Sequence, residues 1–107
     1  MAKIVKLQSS HPLVGIWISD EGDSSAEFEI SPAPDGFKVT GRDRSDGEQF
    51  QISNVAWDGN QLTFDSLMPS TGYGAKHVLR LRSPEKVDHE LTIYEVWKRK
   101  TDDDSTD

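Results

Sequence analysis

Turn signals recur at a nearly constant interval along this chain, and that interval limits the fold more than any other feature. Asp-Gly pairs stand at 35–36, 46–47 and 58–59, 11 and 12 residues apart. Further breaks fall at 21–23, 69–74 and 83–84. Asp-Gly suits hairpin turns because glycine adopts positive φ freely and aspartate tolerates it better than most residues. Turns this close leave room only for short strands, and strands repeating every ~8–12 residues describe a sandwich or a barrel. No segment of ten or more residues carries a 3.6-residue apolar period, so no long helix is expected.

The segments between the turns alternate as strands do. Residues 13–19 are apolar on both faces, except for Gly15 and Ser19. Residues 26–30 set Ala26, Phe28 and Ile30 against Glu27 and Glu29, and residues 37–44 set Phe37, Val39 and Gly41 against Lys38, Thr40 and Arg42. Phe50 and Ile52 begin the next segment in phase, and Val55 and Trp57 continue it one residue out of phase. A β-bulge near Ser53-Asn54 accounts for that slip. Residues 61–67, 76–82 and 87–98 complete seven strands. Residues 2–8 read as a further short strand or a helical turn. The expected fold is therefore all-β, an antiparallel up-and-down meander of seven or eight strands. Rolling such a meander into a small barrel removes its exposed edges. The domain is assigned to 13–98, with an N-terminal segment at 1–12 and a basic-then-acidic tail at 99–107.

Charge and composition exclude several function classes. The chain carries a formal −7, and Asp102, Asp103, Asp104 and Asp107 supply four of those charges, leaving −3 through Lys100. Phosphate recognition needs a concentrated basic face, so neither nucleic acid nor an anionic membrane is expected as a partner. There is no cysteine, which removes disulfides and thiolate metal sites. Lys3 and Lys6 interrupt the apolar residues at the start, so no signal peptide is read there, and a cytoplasmic protein is expected.

At residues 13–17 the chain reads Leu-Val-Gly-Ile-Trp, and a Gly-x-Trp on the first strand resembles the lipocalin and calycin signature. The resemblance implies a calycin-like barrel, with Trp17 plugging one end and Arg99 or Lys98 packing across it. A compact bacterial lipocalin-like domain is the nearest description it gives. It also implies an interior that binds a small, partly apolar molecule without catalysis.

The residues themselves point to the same interior. On strand 87–98 the odd positions are Val87, His89, Leu91, Ile93, Glu95 and Trp97, so His89 and Glu95 share an apolar face. His77 shares the parity of Leu79 and Leu81 on the preceding strand. Pairing these strands about position 84.5 sets His77 opposite 92–93 and makes Glu95 its diagonal neighbour. Such a pair orients a ligand or exchanges protons. Met68–Gly74 reads as a hairpin loop or as a lid that brings Tyr73 to the mouth. The candidate ligand-binding residues are Trp17, Tyr73, His77, His89 and Glu95. No cofactor, metal site or catalytic nucleophile is assigned. Two other readings stay open. One is an interaction or homodimer module using Val14, Ile16 and Ile18 on the outward face of the first strand. The other is an enzyme working through His77, His89 or Glu95.

Overall fold

A computed structural model describes residues 11–22, 24–95 and 97–101. The expected element at 2–8 and the acidic end of the tail lie outside them. Among the described residues there is no helix, and seven strands follow one another in order. They are β1 (Gly15–Ile18), β2 (Ala26–Ala33), β3 (Gly36–Asp43), β4 (Gln51–Trp57), β5 (Gln61–Met68), β6 (Tyr73–Ser83) and β7 (Lys86–Tyr94). Every pairing is antiparallel between sequence neighbours, in a three-stranded sheet β1-β2-β3 and a four-stranded sheet β4-β5-β6-β7.

The turn residues behave as their chemistry requires. Pro34-Asp35 forms a two-residue link with Ala33 opposite Gly36. At the β4–β5 turn Gly59 takes φ +93°, and the Asp58 carboxylate accepts the backbone N–H groups of Asn60 and Gln61 at 2.8 and 2.7 Å. Those bonds hold the Asp58 carboxyl below its usual pKa. The slip inferred near Ser53-Asn54 is a register shift between Ser53 and Ala56, with Asn54 at φ +54°. It returns Trp57 to the inner face opposite Leu62, but Val55 stays exposed in the bulge rather than joining the core.

Between β3 and β4 the two sheets are stitched together. Phe50 N–H donates to Gly41 O and Asp43 N–H donates to Glu48 O, at 2.9 and 2.8 Å. The inner faces of both sheets then meet in one core of Leu13, Ile30, Val39, Leu62, Phe64 and Leu79. Leu13 comes from the turn before β1, and the rest are inward-facing side chains of β2, β3, β5 and β6, as alternation demands. At one end His11, Phe37 and Trp57 pack edge to face, with ring centroids 5.0–5.7 Å apart. Trp17 packs against the core, and its indole N–H donates to Leu13 O at 2.9 Å. Arg99 lies exposed beyond β7.

Sequence pattern and structure part company over closure. Among the described residues no strand pairing joins β7 to β1. One side-chain tie spans that side of the molecule: Lys86 Nζ, at the start of β7, meets Asp20 Oδ2, just after β1, at 2.7 Å. A closed barrel is thus not established, whereas the all-β meander is.

Candidate functional site

The end of the molecule away from the His11–Phe37–Trp57 cluster opens into a cavity of about 230 Å³. The start of β2 and the end of β3 bring Ser25, Phe28 and Asp43 to it, and Phe50 comes from the approach to β4. From the other sheet come Ser66 and Met68 at the end of β5, Tyr73, Ala75 and His77 on β6, and His89 and Leu91 on β7. The wall is largely apolar, with polar groups contributed by both sheets, as small-molecule sites usually are.

Three of those polar groups form a chain. Ser66 Oγ lies 2.8 Å from His77 Nε2, and His77 Nδ1 lies 2.9 Å from His89 Nε2. The two imidazole planes are 3° apart with centroids at 5.1 Å. Nitrogens at 2.9 Å are closer than stacked faces can approach, so the rings meet edge to edge, nearly in one plane. Such a chain can be polarised in either direction. Ser66 donates to His77 and His77 to His89, or His89 donates to His77 and His77 to Ser66.

Register explains why these residues meet. Leu79 pairs with His89 and His77 with Leu91, so His77 and His89 are diagonal neighbours on the inner face. Ser66 pairs with Ala75 and Phe64 with His77, which makes Ser66 the diagonal neighbour on the other side. A register shift between Leu81 and Ser83 displaces β7 from simple hairpin symmetry. It sets His77 opposite Leu91 rather than 92–93, and His89 takes the place at His77 that Glu95 was expected to fill. Glu95 lies past the end of β7, exposed, and its carboxylate accepts the Trp97 indole N–H at 3.0 Å. Trp97 is exposed too, so the expected inner face of that strand ends before both residues.

Aromatic rings hold His77 in place. It is only 4% exposed, with the Phe64 ring stacked at 4.5 Å and 12° and the Phe28 ring edge-on at 5.0 Å. Gly41 makes room for Phe28: a Cβ there would sit 2.6 Å from the Phe28 ring. Burial pushes the His77 pKa down to about 4, the neighbouring His89 adds to the fall, and Asp65 opposes it. Burial also lowers the pKa of His89. Near neutral pH both rings are therefore neutral, and the chain carries no net charge. At the rim, Asp43 accepts the hydroxyls of Ser45 and Ser25 at 2.6 and 2.7 Å, and these bonds lower its pKa.

Of the residues singled out in the sequence, Tyr73, His77 and His89 line the cavity. Trp17 packs into the core from β1, and Glu95 stays outside. Sequence reasoning missed Ser66, Phe28 and Phe50. The signal for Ser66 was present, since it continues the parity of Leu62 and Phe64 as a polar residue on an apolar face. A wider depression of about 530 Å³ involves Asn54, Thr63, Asp65 and Lys76, and the last three have the opposite parity to Phe64 and His77. It is open to solvent, and Phe64, Ser66, Ala75 and Tyr94 also line it, so its wall is mixed rather than purely polar. Among the described residues no cluster of three or more His, Cys, Asp or Glu side chains could hold a metal ion. Among them, too, no helix is long and apolar enough to cross a membrane.

Compared with known families, with curated proteins and with solved structures, this chain matches none.

Proposed function

We propose that this protein is a small calycin-like barrel that binds one small, partly apolar molecule. The observation that carries this reading is the cavity beside the Ser66–His77–His89 chain. Phe28, Phe50 and Leu91 supply apolar contact area there. The chain supplies hydrogen bonds of either polarity with no fixed charge to desolvate, which suits an uncharged or weakly polar ligand. The Lys86–Asp20 tie supports the barrel part of the reading, because it draws the start of β7 toward the turn after β1.

Native mass spectrometry of freshly purified protein tests the proposal, followed by thermal unfolding with a panel of small aromatic alcohols and ketones. A retained small molecule, or a probe that raises Tm, is the expected result. A probe at 100 times its Kd adds about 2.7 kcal/mol of stability. A bare protein whose Tm no probe moves would overturn it.

A second reading has its own observation. Ile16 is 62% exposed and Ile18 is also exposed on the outward face of β1. With Val14 they form the apolar stripe that a homodimer would cover. A bare dimer in the same mass spectrum favours that reading.

A further inference from the structure

We propose that Ser66 is a nucleophile, that His77 is its general base and His89 the residue positioning His77, and that the cavity accepts short acyl groups from activated aryl esters. The inference goes beyond simple binding, and rests on that reading only in needing a cavity open to a small molecule.

The geometry is that of an activated hydroxyl. A nucleophilic serine needs a base within about 2.6–3.2 Å and a third group fixing the base. Ser66 Oγ to His77 Nε2 is 2.8 Å, and His77 Nδ1 to His89 Nε2 is 2.9 Å. With His77 Nδ1–H donating to His89, the Nε2 lone pair faces the Ser66 hydroxyl. His89 thus takes the orienting place that a carboxylate holds in a Ser-His-Asp arrangement. Phe64 and Phe28 pin the His77 ring from two sides. Ser66 itself lines the cavity and is partly exposed.

The step balances within these groups. The Ser66 Oγ lone pair forms a bond to the ester carbonyl carbon, the carbonyl π pair moves to oxygen, and the hydroxyl proton passes to His77 Nε2. The carbonyl then re-forms, the bond to the aryloxide breaks, and the aryloxide takes the proton from His77. The products are acyl-Ser66 and a phenol. Attack by water, with His77 again accepting the proton, returns the free serine and a carboxylic acid.

The electrostatics choose the substrate class. A buried histidine beside a neutral imidazole is always free to accept a proton near neutral pH, but it is a weak base. The leaving group must therefore depart with little help, which selects phenol esters over alkyl esters and amides. Slow release of the acyl group follows from the same weakness. The expected behaviour is a stoichiometric burst followed by slow turnover.

The test incubates the full-length protein with p-nitrophenyl acetate and follows p-nitrophenolate release and intact mass. One acetyl group per chain, mapped to Ser66, is expected. Ser66→Ala should abolish it. His89 is on the edge strand, so His89→Gln should keep the fold by circular dichroism and slow acylation by roughly tenfold or more. Wild-type acylation should be flat from about pH 6 to 8, because His77 is already neutral there. Acetylation of a surface lysine would climb throughout that range. Rescue of His89→Gln by added imidazole would separate positioning from a merely structural role. No acetyl group on Ser66 in folded protein, or equal labelling in Ser66→Ala, would overturn the proposal. Thermal shift with p-nitrophenol separates the two readings. A shift without acylation leaves a binding cavity and removes the nucleophile. The absence of both removes the cavity as well.

Discussion

Strands β5 and β7 belong to the same sheet, flank the same neighbour and carry the same alternation, yet their inner faces meet opposite fates. On β5, Leu62 and Phe64 are fully buried. On β7, Leu91 is 47% and Ile93 44% exposed, although each has the parity of the core. The β1-β2-β3 sheet makes the difference, for it lies across β5 and brings Phe28 against Phe64 and His77. Beyond β7 no described strand follows. Alternation thus specifies which side chains can be buried together, and the facing layer decides which of them are. The proposed site sits at the boundary between these regimes. His77 is covered enough to stay neutral, and His89 and Ser66 are open enough to meet a ligand.

Truncation on the two strands tests this contrast most strongly. Phe64→Ala should lower unfolding stability by about 3–5 kcal/mol, whereas Leu91→Ala should cost less than about 1 kcal/mol. Urea unfolding of both variants measures the gap. Equal losses would mean that the β7 face is covered in solution and would erase the contrast.

Gly41 tests the boundary from the opposite sheet. Gly41→Ala drives a methyl into the Phe28 ring, which in turn rests on His77. Overpacking of this kind costs about 1–3 kcal/mol. Near-ultraviolet circular dichroism should change along with stability. An unchanged spectrum would show that Phe28 yields without disturbing the cavity.

Protonation probes the same place. The folded His77 pKa, about 4, lies below the usual 6.5, so between those values the unfolded chain binds more protons than the folded one. Stability is therefore complete above about pH 6.5 and falls as the pH drops toward 4. The loss should be on the order of 1–3 kcal/mol, short of the full shift because the mouth is open to solvent. Replacing both histidines with glutamine should flatten that slope. Carboxylates such as Asp20, Asp43 and Asp58, whose pKa values are lowered in the fold, act in a separate window below about pH 4. A slope that survives the double substitution would place the titration elsewhere.

The smallest effect belongs to the exposed tie across the open side. Lys86→Ala should lower stability only slightly, and less in high salt. A larger, salt-resistant loss would show that the Lys86–Asp20 pair holds β7 toward β1.

The sequence by itself determined the meander. Its turn spacing, its alternating faces and the slip beside Asn54 follow from backbone rules local to a few residues, and seven β-strands fall near where those rules put them, although the last ends at Tyr94 rather than at 98. It also placed His77 and His89 on one inward face. Tertiary structure alone decided which groups touch. A shift at Leu81–Ser83 moved β7 enough to give His77 a histidine in place of Glu95. Strand pairing then drew Ser66, 11 residues away in the chain, to the other side of the ring. A one-residue change in register costs little in local conformation and re-pairs every side chain beyond it. The pattern of a single strand therefore cannot reveal its partner. The depth of the cavity likewise depends on how two sheets curl together, which no local alternation encodes.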